Sequence, residues 1–348
     1  MGHTLHSLLQ DVGLDIDEGL PNPEISTLTF DSRDVKEGSL FIGLPGENID
    51  GGVFWPNAIA SGSVAAIIGF EAAQVKPPSK EDVVVILNHS ISTWAGKLAA
   101  AFWGNPSSKL KLIGVTGTNG KTTTTYLIEH LSSSIGISTG LFGTLVNRWP
   151  SYSQESTHTT LSAEKLQYQL ANAAKAGVEL VSMEVSSHAL HQQRVAGCIF
   201  SGAVFTNLTQ DHLDYHSSME AYFKAKSLLF RSPLLQSSKY RAVINVDDFW
   251  GKQLANEMEG YCWRCSLNKD ALMASNIDLT INNLETTSKG IKGRLYSPCG
   301  EGEFITSLIG KFNLMNLLQA VGVLLQQGFS LEKILNHVGT FSGVPGRM

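Results

Sequence analysis

The stretch KLIGVTGTNGKTTTTYLIEHL, residues 111–131, decides the fold. Its first part, KLIGVTG, reads as a buried strand, and KTTTTYLIEHLSSSIG reads as a helix, with a short glycine-bearing turn between them. Gly117 and Gly120 let the backbone turn sharply and aim N–H groups inward, while the helix beginning near Lys121 offers its positive end to an anion. A strict Walker A loop wants glycine where this chain has Val115. The working parts remain: Lys121 can reach the terminal phosphates of a nucleotide, and the Thr122 hydroxyl can ligate Mg²⁺. Four consecutive threonines at 122–125 are poor helix formers, so a purely structural helix would rarely begin this way.

Strands and helices alternate beyond the loop. STGLFGT reads as a strand, SAEKLQYQLANAAKAG as a helix, and VELVSMEVS and GAVFTNLT as two more strands. Continuous apolar strands joined by helices imply a mostly parallel sheet covered on both faces, with ligands gathered at the carboxyl ends of the strands. The unusual polar residues lie there. Glu184 in MEVSSHAL follows a second apolar strand, where an acid suits a further Mg²⁺ contact, the alternative being a cap for the next helix. FTNLTQDHLDYH gathers Asn207, Asp211, His212, Asp214 and His216 into a candidate metal or substrate site. Thr159 and Thr160 in THTTLSAEKL could form an N-cap with Glu164 or hold a polar substrate. Lys226, in SMEAYFKAKSLLF, reads from composition alone as a solvated lysine. The helix NLMNLLQAVGVLLQQG carries Leu314, Leu317, Leu318, Val321, Leu324 and Leu325 as an apolar stripe.

Upstream, SLFIGL, AAIIGF and DVVVIL, separated by LPGENIDGG and VKPPSK, read as a smaller α/β domain with short strands. GNPSSK, residues 104–109, marks the internal boundary. An N-terminal domain over 1–106 and a central domain over 107–340 are expected, with the Gly- and Pro-containing segment 341–348 as a linker to a further domain beyond the chain. A length of 348 residues and 43% hydrophobic content suffice for two cores. A net charge of −5 and a pI near 6.1 leave no electrostatic footprint for nucleic acid. No basic segment precedes an apolar run and nothing approaches eighteen uninterrupted apolar residues, so a cytoplasmic protein without membrane insertion is expected. Cys262 and Cys265 form a CxxC with no second pair to complete a metal site, and read as incidental thiols in a strand.

Taken in order, GVTGTNGKTTT, STHTTL, MEVSSHAL with Arg194 after it, TNLTQDHLDYH, YFKAKSLLF, GKFNLMN and VPGRM follow the pattern of the Mur ligases. The chain resembles the MurE type of that family, which adds the third amino acid to the peptidoglycan precursor. FDSRDVKEGSLFIGLPGENIDGGVF is similar to the family's uridine-binding domain. The resemblance implies a small N-terminal α/β uridine-binding domain, a central P-loop-type ATPase domain on a mostly parallel sheet, and a C-terminal Rossmann-like domain absent from this chain. It implies an ATP-dependent ligase joining meso-diaminopimelate, or else L-lysine, to UDP-N-acetylmuramoyl-L-alanyl-D-glutamate through an acyl phosphate.

The resemblance also assigns residues. ATP falls to Gly117, Thr118, Asn119, Gly120, Lys121, Thr122 and Thr123, with Asn313 and Asn316 flanking adenine and Arg347 reaching the phosphates. Mg²⁺ falls to Thr122, Glu184, His212 and Lys226, the last as a CO₂-derived carbamate. An ammonium repels Mg²⁺, whereas a carbamate is an anionic oxygen ligand suited to that hard cation. An unmodified lysine is ordinarily protonated, with a pKa near 10.4, so burial must favour the modified form. Ser32 would contact the UDP end, and Thr159, Thr160, Ser186, Gln192 and Arg194 the muramoyl-dipeptide. Small-molecule substrates and a monomer are expected. Two alternatives stay open. One is a ligase of the folylpolyglutamate synthase type, which shares the loop and the lysine but not DSR or STHTTL. The other is a binding module for UDP-muramoyl-dipeptide and ATP, because the domain that receives the amino acid would lie beyond Met348.

Overall fold

The structure, a computed structural model, describes residues 2–88, 90–236, 241–268, 270–274, 276–288 and 290–346. The chain divides into two compact units. The first comprises residues 1–106, 162–171 and 192–198, and the second comprises 107–161, 172–191 and 199–348.

In the first unit, β1 (His3–Thr4) pairs antiparallel with β2 (Glu24–Ile25). β3 (Thr27–Thr29), β4 (Ser39–Ile42), β5 (Ser63–Gly69) and β6 (Val84–Leu87) form a four-stranded parallel sheet in that order. The period-two alternation of a strand divides the side chains between two cores. Leu40, Ile42, Ala65 and Ile67 pack with Leu5, Leu9 and Leu98. Phe41, Ala66 and Ile68 pack on the other face with Trp55 and Ala72. Both faces are therefore covered, as a parallel sheet requires.

Among its described residues the second unit holds eleven strands: β7 (Lys111–Thr116), β8 (Thr139–Phe142), β9 (Val146–Trp149), β10 (Tyr152–Glu155), β11 (Leu180–Glu184), β12 (Gly202–Phe205), β13 (Ala242–Asn245), β14 (Cys262–Ser266), β15 (Leu279–Thr287), β16 (Gly290–Ser297) and β17 (Gly300–Thr306). Their order in the sheet is β10-β9-β8-β11-β7-β12-β13-β14-β15-β16-β17. From β8 to β15 every pairing is parallel. The edges are antiparallel: β8-β9-β10 on one side and β15-β16-β17 on the other. The sequence reading of a mostly parallel sheet holds for the centre, and these antiparallel edges are additions it did not contain.

The strand order places the site. Strand β7 lies between β11 and β12: from β7 the chain runs to β8 on one side, and after β11 it crosses to β12 on the other. That reversal opens a crevice at the carboxyl end of β7, where open α/β sheets bind ligands. The helix Lys311–Gln326 packs against the helix Lys121–Ser134. Rather than a stripe, everything from Leu314 to Leu325 is buried, including Asn316 and Gln319. Gln319 satisfies part of its burial by donating from Nε2 to Phe205 O (2.6 Å). Cys262 and Cys265 are buried, free thiols within β14. Among the described residues, no helix is long and apolar enough to cross a membrane.

Candidate active site

The loop between β7 and the helix Lys121–Ser134 is built on two glycines with positive φ, +145° at Gly117 and +87° at Gly120. Both are also glycines for lack of space. A Cβ on Gly117 would lie 1.9 Å from Thr206 Oγ1, and one on Gly120 would lie 2.5 Å from Asn316 Oδ1. Gly120 is the N-cap residue and has no side chain to cap with, which leaves the first-turn N–H groups to an anion. Asn207 clamps the loop from the end of β12. Its O accepts from Thr118 N (2.9 Å), its Oδ1 from Asn119 N (3.0 Å), and its Nδ2 donates to Asn119 O (3.1 Å). Lys121 Nζ donates to Gly117 O (2.9 Å) and Thr118 O (2.8 Å), which holds the ammonium over the loop. Thr122 is buried and Thr123 half-buried. Asn313 Nδ2 donates to Ile309 O (2.9 Å) one turn before the buried Asn316. Arg347 lies outside the described residues.

Glu184 ends β11, in register beside Val115 of β7, and is only 1% exposed. Its Oε1 accepts from Thr144 N (2.9 Å) and its Oε2 from Thr144 Oγ1 (3.0 Å). Its backbone O accepts from Thr160 Oγ1 (2.9 Å), which in turn accepts from Ser186 N (3.0 Å). Thr144 Oγ1 also bonds Thr159 Oγ1 (3.2 Å). The structure thus gathers Thr159, Thr160, Glu184 and Ser186 at the ends of β8 and β11. Thr160 spends its hydroxyl at the end of β11, so the helix-capping alternative is not needed to explain it.

Lys226 is also 1% exposed, not the solvated lysine that composition suggests. Its Nζ donates to Gly117 O (2.9 Å) and sits 4.6 Å from the ring centre of Tyr222, one turn earlier on the same helix. Tyr222 reaches the loop as well, its hydroxyl 3.3 Å from Thr118 Oγ1. Burial pushes the Lys226 amine well below the usual lysine range, and Lys121 adds to the shift. A neutral amine is the form that can react with CO₂. His212 is about half exposed, has φ +52°, and pairs with Asp211 at 3.6 Å. Its ring centre lies 5.0 Å from His188 and 6.0 Å from Tyr222. His216 stacks on Tyr222 and places Nε2 3.0 Å from Ser187 Oγ. Burial, then the neighbouring histidines and Lys226, lower its pKa to about 4.

The donor set suits a hard cation. Among the described residues no lysine, arginine or histidine forms an ion pair with the buried Glu184 carboxylate. Its two oxygens each accept one hydrogen bond from Thr144 and keep further lone pairs, the kind of oxygen donor that a hard cation takes. Among the described residues no three His, Cys, Asp or Glu side chains cluster as a metal site. Mg²⁺ does not need such a cage, because it commonly takes one or two carboxylates and completes its shell with water and phosphate.

Ser32, Gln192 and Arg194 belong to the first unit. Ser32 lines a cavity of about 540 Å³ together with Phe30, Asp31, Phe41, Phe54 and Asn57. Asp31 accepts from Arg33 in a bidentate pair, Oδ1 from Nε (2.9 Å) and Oδ2 from Nη2 (2.6 Å), which lowers its carboxyl to about 2. Arg194 donates from Nε and Nη2 to Gln192 Oε1 (2.9 and 2.6 Å). Sequence reasoning missed Thr144 and Tyr222. The available signal was the glycine-threonine pair in LFGTLVN at a strand end, and the tyrosine one helical turn before Lys226.

Residues 24–103 match the catalytic domain of the Mur ligase family, and residues 115–324 match the Mur ligase middle domain. The chain belongs to the Mur ligase family. Among its relatives in that family is the UDP-N-acetylmuramoyl-L-alanyl-D-glutamate--2,6-diaminopimelate ligase of Prochlorococcus marinus (strain MIT 9313), 60% identical over all 348 residues and 69% of the relative's length. The ligase of the same name from Synechococcus sp. (strain WH7803) is 59% identical over 348 residues, 68% of its length. A solved structure of a ligase of that name superposes with a TM-score of 0.82 at 30% identity, covering all of this chain and 68% of the other. The chain thus spans a little over two thirds of the length of these Mur ligases.

Proposed function

We propose that the chain is an ATP-dependent ligase that joins 2,6-diaminopimelate to UDP-N-acetylmuramoyl-L-alanyl-D-glutamate, in the cytoplasmic synthesis of a peptidoglycan precursor. The observation that carries the substrate assignment is 60% identity over the entire chain to a relative named for that reaction. The geometry supports the chemistry. Residues 1–106 serve as the UDP-substrate domain, with Ser32 in the aromatic-lined cavity. Residues 107–340 form the ATP domain, and the protein acts as a monomer on small molecules.

The D-glutamyl side-chain carboxylate attacks the γ-phosphorus of ATP, ADP leaves, and an acyl phosphate forms. The diaminopimelate amine then attacks the activated carbonyl and expels phosphate. Gly117, Thr118, Asn119, Gly120 and Thr123 present loop and helix N–H groups to the phosphates, and Lys121 supplies a positive charge where phosphoryl charge builds. Asn313 and Asn316 flank the adenine. Thr122, Glu184, His212 and a carbamate on Lys226 would hold Mg²⁺, which when bound would neutralise charge on the phosphoryl oxygens. The Lys226 amine forms that carbamate by attacking the carbon of CO₂ and releasing one proton. Thr159, Thr160 and Ser186 hold the muramoyl-dipeptide and keep its carboxylate in line, and Gln192 and Arg194 are substrate contacts of the first unit.

Phosphate release and product mass test the reading. With ATP, Mg²⁺, UDP-muramoyl-dipeptide and diaminopimelate, a product heavier by one diaminopimelate residue is expected, and L-lysine should not replace it. Phosphate release indifferent to the muramoyl substrate would overturn the assignment. Binding of both nucleotides without any amide product would favour the binding-module alternative.

A further inference from the structure

We propose that Gly143 and Thr144 are a positioning pair that fixes the Glu184 carboxylate for its divalent cation and ties it to the loop carrying Thr159. This rests on the reading that Glu184 faces a cation beside the phosphate loop. Both carboxylate oxygens are held by one residue 40 positions earlier, Oε1 by Thr144 N (2.9 Å) and Oε2 by Thr144 Oγ1 (3.0 Å). That approach needs residue 143 to be bare, since a Cβ there would lie 2.4 Å from Glu184 Oε1. Gly143 is itself anchored, its N–H donating to Asn147 Oδ1 (3.2 Å) and Val146 O (3.2 Å). Two atoms of Thr144 therefore set the plane of the carboxylate against the turn that follows β8. A carboxylate offers about four acceptor positions, so two bonds leave its remaining lone pairs for a cation. Partners of this kind orient metal ligands and fix where their free lone pairs point. The same hydroxyl bonds Thr159 Oγ1 (3.2 Å), so a shift in that loop reaches Glu184 through one atom.

Thr144→Val keeps the branched shape and the N–H bond but removes the hydroxyl, whereas Thr144→Ser keeps the hydroxyl. Mn²⁺ with ATP serves as the probe, and the enhancement of water-proton relaxation over that of free Mn–ATP reports the protein-bound cation. Thr144→Val should weaken Mn²⁺ binding by about 10-fold to 100-fold, with Thr144→Ser close to wild type, as for other outer partners of metal ligands. ATP affinity in excess chelator and the melting temperature should change little in either variant. Wild-type Mn²⁺ binding in Thr144→Val, alongside lost binding in Glu184→Gln, would overturn the positioning role. Equal loss in both Thr144 variants, accompanied by a lower melting temperature, would reduce Thr144 to a packing residue and also overturn it. Unchanged Mn²⁺ binding in Glu184→Gln would instead sink the underlying reading of Glu184.

Discussion

Replacing Gly117 by alanine tests whether the phosphate loop is held in a conformation that only glycine permits. Two costs arise. At φ +145° a side chain sits in a region open essentially to glycine, worth about 1–3 kcal/mol. The new Cβ would also lie 1.9 Å from Thr206 Oγ1, a buried hydroxyl that donates toward Asn119 O (2.6 Å) and Thr116 O (3.3 Å). Displacing that hydroxyl from its acceptors adds about 1–3 kcal/mol. The single variant should therefore lose about 2–6 kcal/mol, a large share of the ~5–15 kcal/mol typical of a folded domain. Thr206→Ala alone should cost about 1–2 kcal/mol for its hydrogen bonds. In the double variant the clash with Thr206 Oγ1 is gone while Asn207 N and O stay 3.0 Å from the new Cβ, and the loss should fall short of the sum of the singles by about 1–3 kcal/mol, the range of coupling between touching residues. Urea unfolding of the four proteins measures the cycle. Additive losses, or a Gly117→Ala protein as stable as wild type with unchanged ATP affinity, would refute the claim that Thr206 and the bare Gly117 fit one another.

Two further outcomes are expected. Lys226→Ala should lower ligase turnover by more than about 100-fold, the upper end for outer partners of a metal ligand. Bicarbonate should not restore it, while formate or acetate should do so in part; near-normal turnover in phosphate-release assays would make Lys226 a structural lysine. The second concerns His216, whose pKa of about 4 lies below the ordinary value of 6.5 because of burial and of His188, His191, Lys226 and His212 around it. The unfolded chain binds the extra proton between those values, so stability should fall as pH drops from about 6.5 towards 4 and then level off. His216→Gln should flatten part of that slope in urea midpoints at pH 7 and pH 5, and an unchanged slope would count against the buried neutral imidazole.

What the sequence discloses follows from how local the cause is. The phosphate loop was legible because its requirements, two glycines and an uncapped helix start, lie within a few consecutive residues. The parallel centre of the sheet was legible because strands buried on both faces read as unbroken apolar runs. The edge hairpins were not, since β10 is Tyr-Ser-Gln-Glu, a largely exposed polar segment without such a run. Gln192 and Arg194 follow Ser186 closely in sequence, yet the boundary between the compact units passes between His191 and Gln192. Their proximity along the chain is therefore no guide to which unit they serve.

Lys226 shows why the remaining chemistry had to come from three dimensions or from resemblance. Its helix alone gives no reason to expect burial, because Lys224, two positions away, points to solvent and has the same composition around it. Burial arises from groups distant in sequence: Gly117 O accepts a hydrogen bond from Lys226 Nζ across 109 positions, and Tyr222 is tied over it by Thr118, 104 positions away from that ring. The environment then decides the chemistry. With Lys121 docked on the same Gly117 carbonyl, a second ammonium on that oxygen would face both desolvation and like-charge repulsion. Burial first, and Lys121 second, push the Lys226 amine towards its neutral form. The loop that reads from sequence as a phosphate site thus also supplies the carbonyl and the neighbouring charge that favour a neutral Lys226 amine, the form that the proposed carbamate requires.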